Sequence, residues 1–278
     1  MDYKLNVDWF AQLLQHHPNQ AFVLSMCQSL HKGFWPWADT KINPETWDFS
    51  DQPPKCWDYI DFITTQVETE VCLRHYSEAF RLGLLPGMYS SSVHTLDKPG
   101  TTTFQLINNQ SAREFSPNLM INHEDVIGTC MDNIKSFSAS LHTFHKANKD
   151  NAELIMWKSD IETTYYNLWL TKEWQAKQNS HCRQQCYINH CNCFGNCSSY
   201  KVFLSLCSLV AWVAENVKNM HLKVYVDNNA SFDLVSNILY YEPYHHYFPT
   251  IQTRLLLFWD ELNIPHAEKK QIYGPIVL

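Results

Sequence analysis

His221-Leu222-Lys223-Val224-Tyr225-Val226-Asp227-Asn228-Asn229-Ala230-Ser231-Phe232-Asp233-Leu234 is the stretch whose reading decides the fold. Residues 221–226 favour an extended chain, Asp227-Asn228-Asn229 is a turn cluster, and residues 231–234 return to a strand. The hairpin so read carries a carboxylate, Asp227, at its tip. Upstream, Glu153-Leu154-Ile155-Met156-Trp157-Lys158 reads as a buried strand over 153–158, and Asp160 follows it. A carboxylate at the end of a buried strand and another at a hairpin tip can converge on one site. Held together, they repel and desolvate each other and call for a cation. Two magnesium ions at such a place clamp the attacking and leaving oxygens of a phosphoryl transfer. Spacing alone also allows a plainer reading, in which Asp227 serves a β-turn with Asn228 and Asn229 and Asp160 caps the next helix.

Working outward, Ile60, Ile63, Val67, Val71 and Phe80 recur at helical spacing, which predicts a helix over 59–82 stopped by Gly83. His94-Thr95-Leu96, the turn Lys98-Pro99-Gly100 and Phe104-Gln105-Leu106-Ile107 predict a hairpin. Helices are expected over 125–147, 162–176 and 199–218. A last one follows Pro249, with Ile251, Leu255, Trp259 and Leu262 on one face. Residues 1–58, with Trp35-Pro36-Trp37, Pro44, Pro53 and Pro54, read as an irregular extension holding one short helix near 9–14. The mixture of strands and helices predicts an α+β fold, divided as 1–58, 59–150 and 151–278.

Hydrophobic residues make up 45% of the 278, with 10 Trp, 14 Tyr and 15 Phe, so a real core can form and wholesale disorder is excluded. The net charge of -7 argues against tight autonomous nucleic-acid binding, which draws on neutralised phosphates. The start, MDYKLNVDWF, has neither a basic nor an apolar signal region, and the near-apolar run 203–214 contains Ser205 and Ser208 and is too short to span a bilayer. The expectation is an intracellular chain with no membrane span and with reduced cysteines. Cys182, Cys186, His190, Cys191, Cys193 and Cys197 form a cluster without the two-residue spacing of zinc pairs. Free thiols around a hairpin are one reading. Structural zinc on Cys182, Cys186, His190 and Cys191, in a zinc-stapled interaction module, is the rival. His16-His17 and His245-His246 are neighbours whose side chains diverge, which suits surface positions better than paired ligation.

Five segments in order resemble the polymerase region of a reverse transcriptase. Met156-Trp157-Lys158-Ser159-Asp160 with Tyr165 resembles its motif A. Cys193-Phe194-Gly195-Asn196-Cys197-Ser198-Ser199-Tyr200, running into an apolar helix, resembles motif B. Val224-Tyr225-Val226-Asp227-Asn228 resembles the Tyr-x-Asp-Asp hairpin of motif C. Residues 84–88 through 98–100 resemble the fingers hairpin, and 262–274 the stretch around motif D. Within that family the segments resemble those of DIRS-like, tyrosine-recombinase retroelements of fungal type.

The resemblance implies a fingers-and-palm fold without a thumb, Mg²⁺ or Mn²⁺ as cofactor, and an RNA or DNA primer-template and dNTP as partners. It implies Asp160 and Asp227 as metal ligands, helped by the Ile161 carbonyl, with Asn228 a weakened ligand where the family has Asp. Lys98, Gln105, Gly195 and Tyr225 would meet substrate. Lys270 would protonate the leaving pyrophosphate. Gln105 stands where the family has Arg, and an amide cannot give the bidentate phosphate contact. These departures predict a degenerate copy whose DNA synthesis is weak or lost. The alternative is a non-catalytic nucleic-acid- or protein-binding scaffold.

Overall fold

The computed structural model describes residues 5–275 apart from 42, 50–56, 81–82, 99, 101–102, 113, 128–131 and 149–152; for 49, 57 and 58 it describes the backbone alone. In chain order the elements are α1 Val7–Leu13, α2 Gln20–Lys32, β1 Trp47–Phe49, α3 Trp57–Cys72, β2 Tyr89–Asp97, β3 Phe104–Asn108, α4 His123–Val126 and α5 Ile134–Ala147. They continue as β4 Leu154–Ile161, α6 Lys172–Gln175, β5 Asn179–Cys182, β6 Gln185–Ile188, α7 Ser199–Asn216, β7 Lys223–Tyr225 and β8 Asn228–Leu234. β9 Ile238–Tyr241, β10 His246–Pro249, α8 Thr250–Leu262 and β11 His266–Gly274 complete the series. The architecture is α+β. Two compact units form, one from Met1–His31, Thr129–Thr164 and Phe203–Leu278, the other from Lys32–Gly128 and Tyr165–Val202.

The first unit is built on an antiparallel sheet in the order β11-β4-β8-β7. Register pairs Met156 with Phe232, Lys158 with Ala230 and Asp160 with Asn228, so these six share one face. Toward one end of that face, α5 packs Phe137, Leu141 and Phe144 on Ala230, Phe232 and Met156. The other face presents Trp157, Ser159 and Ile161, all buried. Its neighbour α8 brings Gln252, whose amide donates to Ser159 Oγ at 3.1 Å. Leu255, Leu256, Phe258, Trp259 and Leu262 of α8 are buried at helical spacing. Buried Asp233, near the end of β8, accepts the Ile251 N–H at 3.1 Å and so caps the start of α8.

The second unit holds a sheet in the order β1-β2-β5-β6, with β3 on β2. α3 lays Ile63 and Val67 against Val93 of β2, Leu106 of β3 and Cys182 of β5, with Tyr76 in the same core.

Several elements differ from the sequence reading, each for a local reason. α3 stops at Cys72 and not near 82, because Arg74 turns left-handed (φ 61°) and the N–H groups of His75 and Tyr76 both return to the Glu70 carbonyl. The helix expected over 125–147 is two helices, since Asn133 and Ser136 form a capping box that starts α5 afresh. The one expected over 162–176 is a 3₁₀ turn, Thr164–Asn167, and then α6, begun by the Thr171 cap. Residues 1–58, expected to hold one short helix, contain α1 and also α2, whose Val23, Met26, Cys27 and Leu30 face inward. Among the described residues no helix is long and apolar enough to cross a membrane.

Candidate functional site

β4 and the β7–β8 hairpin bring the two aspartates together. Asp160 lies inside β4, two residues beyond the expected end of that strand, opposite Asn228. Tyr225 pairs with Asn228, so Val226 and Asp227 are the two corner residues of a tight hairpin. Val226 is left-handed (φ 58°), a conformation that a β-branched residue adopts only when its surroundings enforce it. The backbone carbonyl of Asp227 accepts the Ile161 N–H at 3.2 Å, which fixes the hairpin tip against the end of β4.

The carboxylates are held unequally. Asp227 accepts the Asn228 side-chain amide on Oδ1 and the Thr164 hydroxyl on Oδ2, both at 3.0 Å. Asp160 Oδ1 is buried without a hydrogen-bond partner. Burial raises the Asp160 pKa above the ordinary carboxyl range; the Lys158 ammonium works against this, Asp227 adds to it, and Lys270 again works against it. Lys270 Nζ donates to the Ile161 carbonyl at 3.3 Å, reaching across from β11. Asp160, Asp227, Asn228 and Lys270 therefore assemble in one place, and Tyr225, 58% exposed, stands at the end of β7 beside the corner.

This donor set fits one hard divalent cation: an orphaned buried carboxylate oxygen, a second carboxylate and the Ile161 carbonyl are the oxygen ligands such an ion takes. It fits a second ion poorly, because Asn228 donates to Asp227 where a third carboxylate would repel it. Among the described residues no three His, Cys, Asp or Glu side chains gather as a metal-binding group.

The remaining sequence candidates belong to the second unit. Gln105 is on β3, paired with Leu96 of β2. Lys98 is exposed in the loop after β2, its N–H on the Thr103 carbonyl at 3.0 Å; Pro99 of the same expected turn lies outside the described residues. Gly195 is left-handed (φ 108°), and a Cβ there would overlap the Asn108 carbonyl. The close approach that requires glycine is thus to the chain's own backbone.

The cysteine-rich segment contributes to packing. Cys182 and Cys186 lie on paired strands but not opposite each other, since Cys186 faces His181. His190 stacks on Trp169 at 5.3 Å, and its Nδ1 is 2.8 Å from Gln175 Oε1. Cys191 and Cys193 are fully buried, and burial pushes the Cys193 thiol up to about 12. Burial also raises Cys182, Cys186 and Cys191, which keeps these side chains as thiols.

Sequence reasoning missed two residues of the aspartate site. Thr164 touches Asp227, and Lys158 sits on the Asp160 face of β4. The strand period exposes Lys158, two residues from Asp160. The tight turn at left-handed Thr163 (φ 55°), which precedes Thr164, has no such sequence signal.

Comparison with known proteins places this geometry in a class. No family model matches the chain. No curated protein matches it either. Solved structures do. The foamy viral protease-reverse transcriptase dRH in complex with double-stranded DNA is 12% identical with a TM-score of 0.57, over 96% of this chain and 44% of that one. The foamy viral protease-reverse transcriptase in complex with RNA/DNA hybrid is 11% identical with a TM-score of 0.54, over 96% and 33%. The same enzyme in complex with double-stranded DNA is 14% identical with a TM-score of 0.53, over 96% and 52%. At these identities the likeness is one of fold: the chain has a reverse-transcriptase-like fingers-and-palm fold and spans about a third to a half of the proteins it matches.

Proposed function

We propose that the chain is a reverse-transcriptase-like domain of retroelement descent, DIRS-like in its motifs, whose ancestral reaction was template-directed DNA synthesis and whose present synthesis is weak or lost. The observation that supports this reading is the pair Asp160 and Asp227, brought over one antiparallel sheet, with Asn228 as an amide donor to Asp227. A bound Mg²⁺ or Mn²⁺ would supply Lewis-acid stabilisation of the charge that develops on the transferring phosphoryl group. The residues do the rest. Asp160 and Asp227 hold the cation, and the Thr164 hydroxyl orients the Asp227 carboxylate. Lys270, whose ammonium donates to the Ile161 carbonyl, is the residue the motif assigns to protonate a leaving pyrophosphate. Primer-template and dNTP are the partners this chemistry requires, and Lys98, Gln105 and Tyr225 are the residues assigned to them by motif, whereas Gly195 serves the approach to the Asn108 carbonyl. Gln105 in place of Arg gives up bidentate phosphate contact. Asn228 in place of Asp removes one negative charge from the cation site.

Primer extension on RNA and on DNA templates, with Mg²⁺ and with Mn²⁺, tests the reading. Little or no extension is expected from the natural sequence. Vigorous Mg²⁺-dependent extension that disappears in Asp227→Ala would overturn the claim of weakened synthesis. Vigorous extension that persists in Asp227→Ala would overturn the site itself.

A further inference from the structure

Tyr244, His266 and Asp260 form a hydrogen-bonded series on the other side of the palm-like sheet from Asp160. His266, first in β11, pairs with Ile161, whose side chain faces away from that of Asp160. Tyr244 Oη lies 2.5 Å from His266 Nδ1. His266 Nε2 lies 3.1 Å from Asp260 Oδ1. The Tyr241 hydroxyl donates to Asp260 Oδ2 at 2.7 Å. Proton positions follow from this inventory. A carboxylate only accepts, so Nε2–H donates to Asp260; in the neutral imidazole Nδ1 then keeps its lone pair, and the Tyr244 phenol donates to it. Hydroxyl, imidazole and carboxylate then stand in the order of an activated nucleophile, its base, and the group that orients the base.

The series is held firmly and opens on space. The His266 side chain is 6% exposed and packs against Tyr244 at 5.6 Å and Trp259 at 5.7 Å between ring centroids. Tyr241, Tyr244, Asp260 and His266 border an open cleft of about 720 Å³, together with Pro243, Asn263 and Pro265. Burial and then the Asp260, Glu162 and Glu268 carboxylates push the Tyr244 phenol up to about 12. The phenol therefore rests protonated and needs a base at the moment of attack. The same carboxylates repel anions, and an uncharged electrophile meets no such barrier.

We propose that Tyr244 is a base-activated nucleophile that accepts the acyl group of an uncharged carboxylic ester, with His266 as its general base and Asp260 fixing the imidazole. The phenol oxygen adds to the ester carbonyl carbon while its proton passes to His266 Nδ1. The bond to the leaving alcohol then breaks, and that alcohol takes the proton from Nδ1. The products are an acyl-tyrosine ester and the free alcohol. Asn263, which borders the cleft, carries a side-chain amide of the kind that can meet the carbonyl oxygen.

The chain carries its own controls. Tyr247 is 56% exposed, and Tyr273 pairs with His246 at 2.9 Å with no carboxylate hydrogen-bonded to that imidazole among the described residues. The experiment treats the whole chain with p-nitrophenyl acetate, follows p-nitrophenolate release and maps acetylated tyrosines by mass spectrometry. Acetylation of Tyr244 is expected roughly 100-fold faster than that of Tyr247, the usual contribution of a positioned base. Tyr273 should fall between them. Tyr244→Phe should abolish the burst while the chain still melts cooperatively, and Asp260→Asn, which misplaces the imidazole proton, should slow it. Labelling that ranks by exposure, with Tyr247 ahead of Tyr244, overturns the proposal in the natural sequence alone, whatever the variants do.

Discussion

Replacing Asn228 by Asp is the sharpest perturbation the aspartate site offers. Asn228 Nδ2 donates to Asp227 Oδ1 at 3.0 Å, so the substitution turns an attraction into a repulsion. A hydrogen bond to a charged group is worth about 1.5–3 kcal/mol, and all of it is lost. Two unit charges about 4 Å apart repel by about 4 kcal/mol at an effective dielectric of ~20. Relaxation and proton sharing absorb part of that sum, so a loss of about 3 kcal/mol near neutral pH without divalent ions is the expected net. For a chain of this size that is a fall in Tm of roughly 6 °C. A cation at about 100 times its dissociation constant returns about 2.7 kcal/mol, nearly the whole loss. The assay is thermal unfolding of the natural sequence, Asn228→Asp and Asn228→Ala, each with EDTA, Mg²⁺ and Mn²⁺. Divalent ions should raise the Asp variant most, and raise the natural sequence and the Ala variant less, since those two offer only Asp160, Asp227 and the Ile161 carbonyl. Equal ion-induced shifts in all three proteins, or no rescue of the Asp variant, would refute the argument that these oxygens share one cation.

Three further outcomes follow from features already described. Burial and then Asp227 raise the Asp160 pKa against the two lysines, so the native state binds that proton more tightly than the unfolded chain and stability falls as pH rises from the ordinary carboxyl range through the raised value. Asp160→Asn removes this loss, so it should melt above the natural sequence at neutral pH without divalent ions and level with it near about pH 3.5; equal gains at both pH values would contradict this. Gly195→Ala adds a Cβ against the Asn108 carbonyl at a left-handed backbone position and should lose about 3 kcal/mol or more, read from the urea midpoint. Phe232→Ala empties the contact with Phe137 and Phe144, whose rings lie 5.8 and 5.0 Å away, and should lose about 3–5 kcal/mol with little change in urea dependence.

Legibility in the sequence tracked how local the cause was. The β7–β8 hairpin and the β4 strand were readable because alternation and a turn cluster act over a few residues, and with them came Asp160 and Asp227. The corner itself was misplaced: Val226 and Asp227 turn the chain, whereas Asn228 and Asn229 already belong to β8, since the sheet register overrides the turn preference of asparagine. α2 had an inward-facing pattern in Val23, Met26, Cys27 and Leu30 that the neighbouring Trp and Pro residues obscured. β11 was beyond reach, because Glu268, Lys269 and Lys270 give an edge strand a polar sequence and only pairing with β4 makes it extended. Thr164 and the Tyr244–His266–Asp260 series went unseen for a related reason: each depends on partners distant in sequence.

The unit that carries the aspartate pair is not one stretch of chain; Met1–His31, Thr129–Thr164 and Phe203–Leu278 are all needed for it. On the ribosome, β4 emerges long before its edge partner β11, so that side of the strand has to wait, its backbone unpaired, until the last segment has been made. An early stop before β11 therefore strips the edge pairing from β4, a strand made long before it. A fragment cut at a single point will not yield this unit; its three segments would have to be joined by new linkers.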